Sequence, residues 1–225
     1  MTTPTPTIHY AVDDGIATLT MDEPNSPVNT MCEQWQKDLI ACTERVVAER
    51  QTLRGIILDS AKKVFFAGAD LKAVMRSSAT DAVAVYEEVE TIKGCFRRLE
   101  TLGIPVVSCI NGHALGGGWE LALVGHHRLA VDNDRIALGL PEVTLGLIPG
   151  ATGISKMVRL LGLKKAQAYL VEGKTFTPAV AHAMGLVHAL VPDGDGARQS
   201  LRDGAMAWID AHPSSQQPWD VAGYE

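Results

Sequence analysis

Ile110-Asn111-Gly112-His113-Ala114-Leu115-Gly116-Gly117-Gly118-Trp119-Glu120 is the stretch that decides the reading of this chain. An apolar run, Val106 to Ile110, has the composition of a buried strand and leads into three consecutive glycines; a glutamate follows two residues later. Glycines allow backbone angles and close approaches that other residues do not. Where they open a helix, the first N–H groups have no partner in the helix and point at whatever stands in front of them. The stretch therefore predicts a strand, a tight turn and a short helix over Trp119 to Val124. Such a helix start can hold a developing negative charge, with a carboxylate one step beyond it.

Working outward, strand-like and helical patterns alternate, which predicts an α/β protein. Ile16–Met21 and Gly55–Asp59 read as strands, as do Arg128–Val131 and Arg135–Leu138. A helix is expected from Asn29, with Met31, Trp35, Leu39, Cys42 and Val46 on one face. A second is expected over Asp81–Leu102, with Val85, Val89, Ile92, Phe96 and Leu99 as its inner stripe. Helical patterns follow at Ile154–Leu161, Lys164–Leu170, after Thr177-Pro178, and at Ala197–Ala211. Residues 212–225 are polar, Pro-bearing and aperiodic, like a linker. The expected division is a core over residues 1–195, a C-terminal helix over 196–211 and a linker-like tail over 212–225.

Composition sets limits. The 225 residues are 46% hydrophobic, enough for one sizeable core. A formal net charge of -6 disfavours nucleic acid and anionic membranes as partners. Cys32, Cys42, Cys95 and Cys109 form no C-x-x-C pair and suit reduced thiols in a cytoplasmic protein. The N-terminus lacks the pattern of a signal peptide. The longest stretch free of Asp, Glu, Lys and Arg, Thr101–Trp119, contains a proline and five glycines, so no membrane insertion is expected.

Several chemistries can be set aside. Gly173-Lys174-Thr175 resembles the end of a phosphate-binding P-loop, but Ala168 stands where that motif needs glycine. There is no G-x-S-x-G elbow and no G-x-G-x-x-G fingerprint. His126 and His127 are adjacent, so in a strand their rings face opposite sides and make a poor metal pair. No metal site is expected.

Three segments remain: Phe66-Ala67-Gly68-Ala69-Asp70; Asn111 to Glu120; and Leu140-Pro141-Glu142 with Gly146-Leu147-Ile148-Pro149-Gly150. Each alone also fits an ordinary structural role: Asp70 as a helix cap, Glu120 satisfied by a helix dipole, Glu142 as a solvated loop carboxylate. In this order and at these separations, over residues 8–192, they resemble the crotonase (enoyl-CoA hydratase/isomerase) superfamily. Gly125-His126-His127-Arg128-Leu129-Ala130, and Gln217-Pro218-Trp219-Asp220 with Gly223-Tyr224, are similar to the N-terminal hydratase part of multifunctional fatty-acid β-oxidation proteins. In those proteins a 3-hydroxyacyl-CoA dehydrogenase part follows.

The resemblance implies a spiral of ββα units with two roughly perpendicular sheets and, in this chain, a shortened C-terminal helical part. It implies an oxyanion hole made by the backbone amides of Ala69 and Gly117, with Glu120 as base on water, Glu142 as acid towards Cα, and the Gly150 amide holding the water. Ala67, Asp70 and Leu71 would contact the adenine, Lys62, Lys63 and Lys72 the phosphates, and Val28, Met75 and Trp119 the acyl chain. Coenzyme A would enter as part of the acyl-CoA thioester substrate, with no cofactor required. The chain would work as a homo-oligomer (trimer or hexamer) or within a larger β-oxidation complex. The expected activity is hydration of a trans-2-enoyl-CoA. The alternatives are a Δ3,Δ2-enoyl-CoA isomerase and a non-catalytic acyl-CoA- or RNA-binding relative. Trp119 and the run Ala151-Thr152-Gly153 depart from the family pattern. Trp119 either packs behind the site or shortens the acyl pocket.

Overall fold

The computed structural model describes residues 5–224. Residues 1–4, part of the N-terminus read above as lacking a signal peptide, and Glu225 lie outside the described residues. The chain runs β1 (Ile8–Asp13), β2 (Ile16–Met21), α1 (Glu33–Ala48), β3 (Gly55–Ser60), α2 (Leu71–Arg76), α3 (Ala82–Glu100), β4 (Val106–Ile110), β5 (Ala114–Leu115), α4 (Gly117–Ala122), β6 (His127–Asp132), β7 (Leu138–Gly139), α5 (Gly153–Leu161), α6 (Leu163–Val171), α7 (Pro178–Ala183), β8 (Ala189–Pro192) and α8 (Ala197–Ala211).

Six strands form one sheet in the order β1-β2-β3-β4-β6-β8. Only the β1–β2 pair is antiparallel; every later neighbour is parallel. Asp14-Gly15 closes the β1–β2 hairpin with both residues at positive φ, the geometry of a two-residue turn that follows the strand twist. β3 and β4 are buried at every position, as parallel strands covered on both faces must be. α1 covers the sheet with Trp35, Leu39, Cys42 and Val46, and Trp35 meets Phe66 edge-on at 5.1 Å. Burying each such side chain stabilises the fold by about 1.5–3 kcal/mol.

A second, two-stranded parallel sheet pairs β5 with β7. It carries the glycine run. Single parallel bridges tie Phe66 to Ala114 and Met31 to Ala69, so segments from three distant parts of the chain lie side by side there.

Four expectations need correction. α1 begins at Glu33 rather than Asn29, and Met31 instead lies against Gly117. Arg135–Leu138 is not a strand: Asn133 accepts the Arg135 amide in a turn, and only Leu138–Gly139 pairs. The stripe on α3 is buried from Ile92 to Leu99, but Val89 is half-buried and Val85 exposed, because the first turns of the helix stand clear of the sheet. The stretch 212–224 is not a free linker: Gln217 is buried, and Asp220 takes both guanidinium nitrogens of Arg97 at 2.7 and 2.5 Å. No helix among the described residues is long and apolar enough to cross a membrane.

Candidate active site

A cavity of about 620 Å³ opens where the two sheets' loops meet. One wall is Ala67–Lys72, a second is Leu115, Gly116, Pro141 and Glu142, and a third is Glu23, Ser26, Thr30 and Cys32, with Leu145 and Leu147 at the side.

Asn29 sets the third wall. It is fully buried; its Nδ2 donates to the carbonyls of Met21 and Phe65 and to Ser60 Oγ, and its Oδ1 accepts the Glu23 amide. Its own carbonyl accepts the Ala67 amide at 2.9 Å, and the Met31 amide donates to Gly68. Segment 66–69 is thus sewn to the 29–31 loop on one side and, through Leu115 N to Phe66 O at 3.2 Å, to β5 on the other.

The glycine run is dictated by contact. Gly116 has φ 55 and ψ -127, outside the space open to side chains. A β-carbon on Gly118 would stand 2.2 Å from the Phe66 carbonyl oxygen. This packing puts Gly68 against the Gly117 amide: a β-carbon at 68 would be 3.4 Å from Gly117 N. Among the described residues the amides of Ala69 and Gly117 have no acceptor. Ala69 lines the cavity, and Gly117, the first residue of α4, follows Gly116 of its wall.

Glu142 opens a 3-10 turn over residues 142–145 and lines the cavity half-buried. Its Oε1 lies over Gly116, 2.7 Å from where a β-carbon would be, and its Oε2 is buried with no partner among the described residues. Burial is the main reason its pKa is pushed up to about 7; the charge of Glu120 adds to the rise and its own backbone N–H opposes it. Such a carboxyl is partly protonated at neutral pH.

Glu120 projects from α4 and is 2% exposed. Both hydrogen bonds it accepts land on Oε1, from Ala151 N at 2.8 Å and Gly153 N at 2.7 Å. Burial raises its pKa; the Gly153 and Ala151 amides oppose this, as do Lys156 and Lys93 at longer range. Their opposition does not cancel the rise, because burial is the larger effect. Glu120 does not itself line the cavity; it lies behind the 150–153 segment.

The sequence expectations divide accordingly. Ala67, Ala69, Asp70, Leu71, Lys72 and Glu142 line the cavity, and Gly117 is one residue from its wall. Asp70 also caps α2, accepting the amides of Lys72 and Ala73. Lys62 does not reach the cavity: its Nζ pairs with Asp22 at 2.8 Å. Lys63 is exposed off the cavity, and Val28 is half-buried away from it. Met75 is 86% exposed and forms no pocket wall, because the short α2 turns it outward. Trp119 is fully buried behind the site, donating to Met157 Sδ at 3.3 Å and meeting Phe176 edge-on, so it does not shorten the cavity. The amides holding Glu120 come from Ala151 and Gly153, while Gly150 is exposed and touches Val89.

Sequence reasoning missed the Glu23–Cys32 wall, where Cys32 Sγ donates to Glu23 Oε2 at 3.1 Å. Asn29, a lone amide between two strand and helix patterns, was its only trace. Among the described residues no group of three or more His, Cys, Asp or Glu side chains could hold a metal ion, and all four cysteines are free.

Comparison with known proteins shows the family and the fold. A family model described as enoyl-CoA hydratase/isomerase matches residues 11–217. The fatty acid oxidation complex subunit alpha of Shewanella amazonensis is 40% identical over 186 residues, covering 80% of this chain and 25% of that protein. The Shewanella baltica subunit of the same name is 41% identical over 182 residues, again 80% of this chain and 25% of the relative. The chain therefore spans about a quarter of the length of these relatives. Among solved structures, an enoyl-CoA hydratase from Bacillus anthracis superposes with a TM-score of 0.79 at 28% identity, covering 91% of this chain and 76% of its own. DspI of Pseudomonas aeruginosa gives 0.80 at 25% identity, covering 93% and 82%. The α/β architecture is that of the crotonase fold shared by such structures. The chain belongs to the enoyl-CoA hydratase/isomerase family.

Proposed function

We propose that this chain is an enoyl-CoA hydratase, adding water to a trans-2-enoyl-CoA to give a (3S)-3-hydroxyacyl-CoA in fatty-acid β-oxidation. The observation that carries the reading is the pairing of two carboxyls that burial shifts upward, Glu142 and Glu120, with amides at Ala69 and Gly117 that have no acceptor among the described residues. The amides would take the thioester oxygen as it gains enolate charge; one such donor is typically worth about 3–4 kcal/mol in the transition state. Glu120, whose Oε1 accepts the Ala151 and Gly153 amides, would accept a proton from water as the oxygen attacks Cβ. Glu142, protonated near neutral pH, would deliver a proton to Cα. One proton leaves Glu142 and one arrives on Glu120, so exchange with solvent resets the pair.

Coenzyme A would enter as part of the substrate, across the wall formed by Ala67–Lys72, and Lys72, the one of the three proposed lysines that lines the cavity, would meet a phosphate. The reading requires no cofactor. The name of the Shewanella relatives supports work within a larger fatty-acid oxidation assembly, as an alternative to a trimer or hexamer; a cytoplasmic location is part of the same proposal. One observation favours a second activity: of the two carboxyls, only Glu142 lines the cavity. A single carboxyl suffices to shuttle a proton between Cα and Cγ, which is Δ3,Δ2-enoyl-CoA isomerisation.

The test is a pair of substrates. With crotonyl-CoA and longer 2-enoyl homologues, hydration bleaches the conjugated thioester absorbance and yields the 3S alcohol. With 3-enoyl-CoA, isomerisation creates that absorbance first. Binding of both without turnover would instead support a non-catalytic relative.

A further inference from the structure

The segment Gln217-Pro218-Trp219-Asp220 has no part in the chemistry above, yet it is bound tightly to the helix that carries it. α4 bears the Gly117 amide at one end and Glu120 in its middle. Past its other end the carbonyls of Leu123 and Val124 take no backbone amide among the described residues, while that of Ala122 accepts the Gly125 amide. Three side chains from three separate parts of the chain reach them. Ser108 Oγ donates to Ala122 O at 2.9 Å, and Lys156 Nζ to Leu123 O at 3.3 Å. Gln217 Nε2 donates to Val124 O at 2.9 Å and to Leu123 O at 3.4 Å, across more than ninety residues of chain. Gln217 is 1% exposed.

The residues around it anchor to the other helices of the site. Asp220 grips Arg97 of α3 bidentately, a geometry that fixes direction as well as distance. The Trp219 ring faces the Arg159 guanidinium at 5.5 Å, and Tyr224 Oη donates to the Arg159 carbonyl at 2.5 Å. Arg159 lies on α5, whose first residue, Gly153, holds Glu120. The segment thus joins α3, the end of α4 and α5, and none of its residues lines the cavity.

We propose that residues 217–220 form a clamp that sets the axial position of α4, with Gln217 a positioning residue for both the Gly117 amide and Glu120. A helix of six residues has few bonds of its own to resist sliding. A displacement of about 1 Å at reacting groups costs on the order of a hundredfold in rate. Capping the far end is therefore worth more to catalysis than to global stability.

The catalytic half of this inference rests on the hydratase reading; the structural half does not, and the test separates them. Amide hydrogen exchange is measured on the wild type, Gln217→Met, which keeps the volume but donates nothing, and Asp220→Asn, which weakens only the outer, partly exposed anchor. The clamp predicts that amides in residues 117–124 exchange about tenfold faster or more in Gln217→Met, with a smaller rise in Asp220→Asn, while those of α8 are unchanged. With enoyl-CoA, kcat of Gln217→Met falls about tenfold while KM changes little. Local loosening of α4 in an enzyme with no hydratase turnover would uphold the clamp and sink the hydratase reading. Unchanged exchange at 117–124, or a uniform rise across the whole fold, would overturn the clamp.

Discussion

Glu142 Oε1 rests directly over Gly116, 2.7 Å from the place a β-carbon would take, so the carboxyl can reach its position only because residue 116 has no side chain. The two groups are 26 positions apart in sequence and come together through the parallel pairing of β5 with β7. Gly116→Ala meets two obstacles at once: a backbone conformation of φ 55 and ψ -127 that costs about 1–3 kcal/mol for a side-chain-bearing residue, and a clash with the carboxyl. The expected result is a chemical-denaturation loss in that range, together with a fall in kcat on the order of a hundredfold as Glu142 is pushed away. Enzyme kinetics and urea melts on one preparation measure both.

The pH dependence follows from the same carboxyl. Its pKa rises from 4.5 to about 7 on folding, so between those values the folded chain holds a proton that the unfolded chain has released. The stability associated with that proton is fully present below pH 4.5 and is lost as pH rises through about 7. Glu142→Gln removes the titration, so its Tm relative to wild type should rise between pH 5 and pH 8. As a required acid, Glu142 also predicts a kcat that declines as pH climbs through about 7. Calorimetry and a pH–rate profile test the two halves separately.

Beside α4, Lys156 and Glu100 form a hydrogen-bonded ion pair with both side chains almost wholly buried. Burial pushes the Lys156 pKa down while Glu100 supports its charge. Lys156→Met leaves the buried Glu100 carboxylate with only the longer 3.4 Å contact to Arg97 and should cost about 3 kcal/mol in urea unfolding. The double variant Lys156→Met with Glu100→Gln should recover part of that loss, because no uncompensated charge remains.

Trp119 makes a prediction that distinguishes packing from specificity. It is fully buried against Met157 and Phe176, away from the cavity. Trp119→Ala should destabilise the protein by about 3–5 kcal/mol. Trp119→Phe should leave the profile of rates against acyl-chain length unchanged, whereas a pocket-lining tryptophan would shift it.

The strand-and-helix plan was legible wherever burial is regular. β3 and β4 are unbroken apolar runs, and Trp35, Leu39, Cys42 and Val46 recur at helical spacing; both patterns are direct records of which face is covered. β1 was passed over because its residues past Ile8 are exposed or half-buried, although Asp14-Gly15 marks its hairpin. Within the site, Glu120 and Glu142 stand out as carboxylates near glycine runs, whereas the backbone roles of Ala69 and Gly117 leave no side-chain mark and came only through the family resemblance. The Glu23–Cys32 wall does not, since ordinary loop residues reach the cavity only through the buried bonds of Asn29. The Gln217 contact was hidden for a related reason: a polar, Pro-bearing stretch looks alike whether it hangs free or docks on the fold.

The central claim is that two carboxyls act together on water and on Cα. Hydration of crotonyl-CoA by the wild type, Glu120→Gln and Glu142→Gln, followed by loss of the enoyl-thioester absorbance, tests it most directly. The account predicts turnover by the wild type and a loss of roughly two or more orders of magnitude in each variant. Full activity in either variant would contradict it.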